Sequence, residues 1–226
     1  MFTLEKIVSW GRSFDEYRRM FALSDCELQQ RILGCGDGPA SFNAELTAEG
    51  GSVTSFDPIY RLSADEIRQR IDSTVPEMIE QARKNADAFI WSDRFVDPDD
   101  LARHRLATMQ RFLGDYEEGQ TQGRYVAAEL PALPFAEGTF NIALCSHLLF
   151  LYSEHLSEQF HIEALRSPIR IALEVRIFPV TELTAIPSRH LESVSAALRA
   201  DGCQVIISTV DYEFQRGGNQ MMRIWR

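Results

Sequence analysis

Two hydrophobic periods alternate along this chain. Phe14, Tyr17, Phe21 and Leu28 recur at helical spacing, and Ser13 with Glu16 forms a capping box, which predicts a helix over roughly 14–28. Arg31-Ile32-Leu33 reads as a short strand that runs into Gly34-Cys35-Gly36-Asp37-Gly38-Pro39. A helix over 41–49, stopped by Gly50-Gly51, and a strand over 52–56 ending at Asp57 complete a strand–helix–strand unit. Strands are predicted again at 124–128 and 140–146, then a helix over 153–165 that stops before Pro168. Ile169, Ile171, Leu173, Val175 and Ile177 alternate with other residues and predict a strand over 169–178. A helix near 188–200, a strand over 204–210, a Gly217-Gly218-Asn219 turn and a closing antiparallel strand at 221–225 finish the pattern.

Residues 58–123 do not fit this rhythm, because a plain crossover is much shorter. Ser63 and Glu66 form a capping box, and Asp97-Pro98 places a capping side chain before a proline suited to a first helical turn. Ala102, Leu106, Met109 and Leu113 then form an apolar stripe that reads as core packing. The segment is expected to be a helical insertion. Its Phe89, Trp91, His104 and Tyr116 make it the candidate cap over an apolar or planar substrate.

Composition narrows the partners. The 226 residues fit one α/β domain, and 45% hydrophobic content supplies a core without staples. A net charge of −10 repels phosphates and anionic membrane surfaces, so no nucleic-acid and no membrane partner is expected. The opening residues, MFTLEKIVSWGRSFDEYRRM, lack the apolar stretch and cleavage site of a signal peptide. Cys26, Cys35, Cys145 and Cys203 are scattered, which suits reduced thiols in a cytoplasmic protein and offers no metal-ligand spacing.

The chemistry concentrates at the glycine loop. Glycine tolerates positive φ and lets a backbone approach a ligand, and the following helix offers free N–H groups. Asp57 lies 19 residues after Gly38, where a carboxylate can accept both hydroxyls of a ribose. Dinucleotide-binding loops prefer G-x-G-x-x-G, whereas this spacing is G-x-G-x-G, and a nicotinamide oxidoreductase rests on the generic unit alone. The loop resembles the first motif of the class I S-adenosylmethionine-dependent methyltransferases, and Leu133-Pro134-Phe135-Ala136-Glu137-Gly138-Thr139-Phe140-Asn141 is similar to a second segment of that family. The resemblance covers roughly 30–57 and 124–226 and leaves 58–123 unexplained. More narrowly, GRSFDEY, GPASFNAEL, DPIY, CSHLLFLYS and EVRIFP resemble a bacterial group of such proteins.

The resemblance implies a Rossmann-like seven-stranded mixed sheet with its last strand antiparallel, over one domain spanning 1–226. It also implies an N-terminal helical lid at 1–29, S-adenosyl-L-methionine as cofactor, and a small-molecule acceptor. Asp57 is then expected to hold the ribose, Gly34 to belong to the cofactor-binding loop, Gly36 and Gly38 to face the methionine moiety, and Ile59 and Tyr60 to flank the adenine, with a core role as the other reading of Ile59. Glu129 with Leu130 belongs to the adenine side, or Glu129 is a solvated charge. Gly34 stands where the family has an acid, so either binding is weakened or another acid substitutes. That defect motivates the alternative of a non-catalytic cofactor-binding or interaction protein that kept the fold. His147, just past the fourth predicted strand, is the candidate base, or else a hydrogen-bonded structural histidine. Tyr17, Tyr152 and Arg176 are the candidate substrate residues, with an internal Glu174–Arg176 ion pair as the other reading of Arg176.

Overall fold

The computed structural model describes residues 10–92 and 94–226. Residues 1–9 of the expected lid and of the opening segment lie outside the described residues. Parallel strands buried on both faces need apolar side chains at successive positions. The central strands have them: Ile32 and Leu33 in β1 (Arg31–Cys35), and Ile142, Ala143 and Leu144 in β4 (Phe140–Ser146), are buried on opposite faces. With β2 (Ser52–Phe56), β3 (Tyr125–Val126), β5 (Ala172–Phe178), β6 (Gln204–Thr209) and β7 (Gln220–Trp225) they form one seven-stranded sheet. Its order is β3-β2-β1-β4-β5-β7-β6, and β7 runs antiparallel to both neighbours. The expected Rossmann-like mixed sheet is therefore present.

One face is covered by α1 (Phe14–Met20), α2 (Asp25–Leu28) and α3 (Phe42–Ala48), through Tyr17, Phe21, Leu28, Phe42 and Leu46. The expected single helix over 14–28 is two, because Ser24 and Glu27 form a second capping box and Ala22 turns at φ 47°. The helical period runs through both pieces and hides that break.

The insertion contains α4 (Ala64–Lys84) and α5 (Pro98–Thr121), which pack on each other, and α5 also packs on α3. Ile67 and Ile71 of α4 meet Met109, Phe112 and Tyr116 of α5 in one apolar cluster with Tyr60 and Tyr125. Asp97 caps α5 by accepting the Asp100 N–H at 2.7 Å, and Pro98 follows at the first turn, as the sequence signals. The connection between the two helices docks on the segment before β7. Phe89 stacks on Phe214 at 4.7 Å, the Ile90 N–H donates to the Phe214 carbonyl at 2.8 Å, and the Arg216 N–H donates to the Ala88 carbonyl at 3.0 Å.

The other face is covered by α6 (Glu158–Ile171) and α7 (Leu191–Ala200), through Ala164, Leu165, Ile171, Val194 and Leu198. α6 begins at the Ser157 cap rather than near Ser153, and it continues past Pro168. The proline falls in the last turn, where its missing N–H removes one hydrogen bond and the helix ends three residues later. Ile169 and Ile171 are thus helical, and the strand starts at Ala172 instead of residue 169.

Candidate functional site

The sheet order reverses between β1 and β4, so their following loops part and leave a crevice at the carboxyl ends of the strands. Gly36 (φ 66°) and Gly38 (φ 53°) take left-handed turns that swing the loop back over β2, where the Gly36 N–H donates to the Phe56 carbonyl at 2.8 Å. A cavity of about 570 Å³ opens there, within the range of small-molecule sites. Gly36, Gly38, Asp57, Glu129, Leu130, Tyr17 and His147 all reach its wall.

Asp57 follows β2 and is half-buried. Its Oδ2 accepts the Gly38 N–H at 2.9 Å and its Oδ1 accepts the Ile59 N–H at 2.8 Å. Two carboxylate oxygens offer about four acceptor positions, so two remain for hydroxyl donors. Burial pushes its pKa up, while the two amides oppose that shift.

The acid missing at position 34 is supplied from elsewhere in the loop. Asp37 folds back over Gly34, so that a Cβ added to Gly34 would lie 1.7 Å from Asp37 Oδ2. Its carboxylate therefore occupies the space that a side chain at 34 would enter. The Tyr17 hydroxyl donates to Oδ1 at 2.7 Å, and the Ser55 hydroxyl donates to Oδ2 at 2.7 Å. Burial pushes the Asp37 carboxyl up to about 7, with Asp57 adding repulsion and the two hydroxyls opposing both. No cation pairs with it among the described residues. Sequence reasoning missed Asp37 as a site residue, although an acid three positions past the expected place is a readable signal.

His147 sits immediately after β4 at φ 50°. Its N–H donates to the Phe178 carbonyl at 2.7 Å, its Nδ1 is 2.9 Å from Ser146 Oγ, and its ring lies edge-on to Phe178. Burial holds its pKa well below the usual histidine range, with Arg12 and Arg105 acting in the same sense. The ring is neutral, and in the tautomer whose Nδ1–H donates to Ser146 its Nε2 can accept a proton.

A second cavity of about 110 Å³ adjoins the first and shares Trp10, Arg12 and His147 with it. Tyr152 lies on this smaller cavity, whose other walls come from the insertion (Met78, Phe89) and the segment before β7 (Tyr212, Phe214).

Three expectations are corrected. Gly34 stays within β1, behind Asp37, and does not reach the cavity. Tyr60 is turned under the loop by the 3-10 turn Pro58–Arg61; it is buried, its hydroxyl donates to the Gly38 carbonyl at 2.7 Å, and its ring packs against Tyr116 and Tyr125. Ile59 takes the place on the wall instead. Arg176 reaches neither cavity, because its guanidinium is buried between Glu174 (2.5 Å), Glu27 and the Phe21 carbonyl (2.7 Å). Tyr17, expected at the substrate, lies on the larger cavity with its hydroxyl committed to Asp37. Of the insertion's aromatics, Phe89 walls the smaller cavity, while His104 is exposed and Tyr116 is core.

The chain is 34% identical to an uncharacterized protein of Methanocaldococcus jannaschii, over 99% of this chain and 98% of that one. That relative is archaeal, so the narrower resemblance to a bacterial group gains nothing from it. No family model matches. Solved structures with a similar course include the magnesium protoporphyrin IX methyltransferase of Synechocystis with bound SAM, at 10% identity, 89% of this chain, 73% of that one and a TM-score of 0.46. A SAM-dependent methyltransferase of Methanosarcina mazei matches at 11% identity, 87% of this chain, 91% of that one and a TM-score of 0.44.

Proposed function

We propose that the chain, which belongs to one family with the uncharacterized Methanocaldococcus jannaschii protein and carries a seven-stranded Rossmann-like sheet, is an S-adenosylmethionine-dependent methyltransferase acting on a small-molecule acceptor. The observation that carries the reading is a pair of carboxylates, buried Asp37 and half-buried Asp57, just past the ends of β1 and β2 on one cavity, with a second cavity across His147. A cofactor with a ribose diol and a cationic amino-acid end complements that pair. Asp57 would hold the diol and Asp37 would face the ammonium. Gly36 and Gly38 would lie along the methionine portion, and Leu130 and Glu129 at the adenine side.

When bound, S-adenosylmethionine supplies a methyl carbon activated by its sulfonium. The chain's task is then alignment and exclusion of water. Neutral His147 stands between the cavities and can take the proton of an O–H or N–H acceptor. The alternative of a non-catalytic relative rested on Gly34, and the Asp37 carboxylate removes its main motive.

Calorimetric titration with S-adenosylhomocysteine tests the binding half. Saturable binding is expected, and its absence at millimolar ligand would sink the proposal. Asp37 adds a pH signature. Its raised pKa means that the folded, ligand-free chain keeps a proton between about pH 4 and 7 that the unfolded chain has released. The group therefore costs stability as pH rises through that window, and a ligand ammonium offsets the cost. Affinity for S-adenosylhomocysteine is expected to rise about tenfold between roughly pH 6 and 8. Asp37→Asn should bind weakly and flatten the profile; an unchanged profile in that variant would remove Asp37 from the assignment.

A further inference from the structure

The smaller cavity carries an unbalanced charge. Arg12 and Arg105 both line it, and no aspartate or glutamate does. The nearby acid, Glu16, is already committed. Its carboxylate accepts from both terminal nitrogens of Arg105, from the Tyr212 hydroxyl at 2.7 Å and from the Ser13 N–H at 3.0 Å. Those donors fill the acceptor positions that a carboxylate offers. Arg12 is left over. Its Nη1 donates to the Trp10 carbonyl at 2.9 Å, but its buried Nε has no hydrogen-bond partner and lies 4.0 Å from Glu16 Oε1. One guanidinium thus balances Glu16, and the second faces the cavity with its charge uncompensated. Buried charges normally have a counter-ion.

The remaining walls are apolar or aromatic, among them Met78, Leu151, Phe178 and Phe214. The volume of about 110 Å³ suits a single small ring or a compact aliphatic group. The larger cavity differs, since Asp37, Asp57 and Glu129 accompany its arginines. Arg12 borders both cavities, and only the smaller one sets no carboxylate of its own lining against it.

We propose that the smaller cavity takes a compact, apolar acceptor that bears a carboxylate, and that Arg12 is the residue that anchors this carboxylate. The assignment rests on the methyltransferase reading. It places the acceptor between Arg12 and His147, both of which face the two cavities at once. The carboxylate fixes one end of the molecule. The acceptor atom is then presented to His147 at the border with the larger cavity.

The test uses the full chain saturated with S-adenosylhomocysteine, and four probes: benzoate and phenylacetate, with benzamide and phenylacetamide as their neutral partners. Ligand-observed NMR titration should show each acid binding at least about tenfold more tightly than its amide. Arg12→Gln should abolish that preference, and Arg12→Lys, which keeps the charge, should retain part of it. Amides that bind as well as acids, or acids that fail to bind at millimolar concentration, would overturn the proposal. So would a guanidinium that serves the cofactor's own carboxylate. That case shows as an Arg12→Gln variant that loses affinity for S-adenosylhomocysteine but not for 5′-methylthioadenosine, which lacks the carboxylate. If S-adenosylhomocysteine itself does not bind, the methyltransferase reading fails separately, and the acid-over-amide preference is then read on the ligand-free chain.

Discussion

Replacing Asp57 with alanine is expected to lower affinity for S-adenosylhomocysteine by at least about a hundredfold. The side chain would hold the ribose with the acceptor positions left after it has taken the Gly38 and Ile59 amides. Hydrogen bonds to an ionised group are worth about 1.5–3 kcal/mol each, so losing two costs at least about 3 kcal/mol. The loss has a second source, because the same carboxylate ties the glycine loop to the end of β2. Asp57→Asn separates the two. An amide can still accept one bond, but its NH₂ would face a backbone donor, so it should bind only slightly better than alanine. Calorimetry on both variants, with thermal denaturation as a control for folding, decides the matter. Affinity within tenfold of the parent in a folded Asp57→Ala would remove the residue from the ribose role.

Glu16→Gln is expected to produce the largest loss of stability. Glu16 and Arg105 are both buried, and they join α1 to α5 across 89 residues of sequence. Neutralising one partner of a buried pair costs about 3–5 kcal/mol, because the other charge stays desolvated. Here Arg105 would lose its anion beside Arg12, whose charge is already in excess. The melting temperature should fall by roughly ten degrees. The pair also fixes the acid response. Burial alone would raise the Glu16 pKa, but Arg105 and the surrounding donors outweigh it and hold the carboxyl well below the ordinary range. A depressed carboxyl stabilises fully above its unfolded value of about 4.3 and progressively less as pH falls below it. The parent should thus lose stability steeply under about pH 4, and Glu16→Gln should lack that part of the slope. A variant as stable as the parent at neutral pH would show that the pair is energetically idle.

The parts of this site that lie close together in sequence were legible in it. The β1 loop and Asp57 belong to one short unit, and strand–loop–helix patterning positions them whatever the rest of the chain does. His147 is a sequence neighbour of β4 and inherits its place from that strand. What was missed depends on three-dimensional return paths. Tyr60 follows Asp57 closely enough to suggest the adenine side, yet the 3-10 turn at Pro58–Arg61 rotates it into the aromatic cluster of the insertion. For Arg176 the Glu174 ion pair, two residues away, was one of the two readings and is present, while the second partner, Glu27, lies 149 residues away. Asp37 stands in the motif in plain view; only the backbone turn at Gly36 reveals that its carboxylate comes back over Gly34. Asn141 likewise finds its partner far off in sequence, since its side chain accepts the Arg31 N–H, 110 residues away, and joins β4 to the start of β1.

The docking of the insertion tip on the segment before β7 also bears on how the protein is made. A ribosome releases Phe89 and Trp91 long before it releases Phe214. The Phe89–Phe214 stack and the backbone bonds beside it can close only after Phe214 has emerged. The sheet's first parallel strands can pair earlier, so the smaller cavity, walled by Phe89 and Phe214, takes shape after them. Until then the aromatic tip is a sticky surface on a nascent chain, and slow translation or truncation before Phe214 would expose it to aggregation.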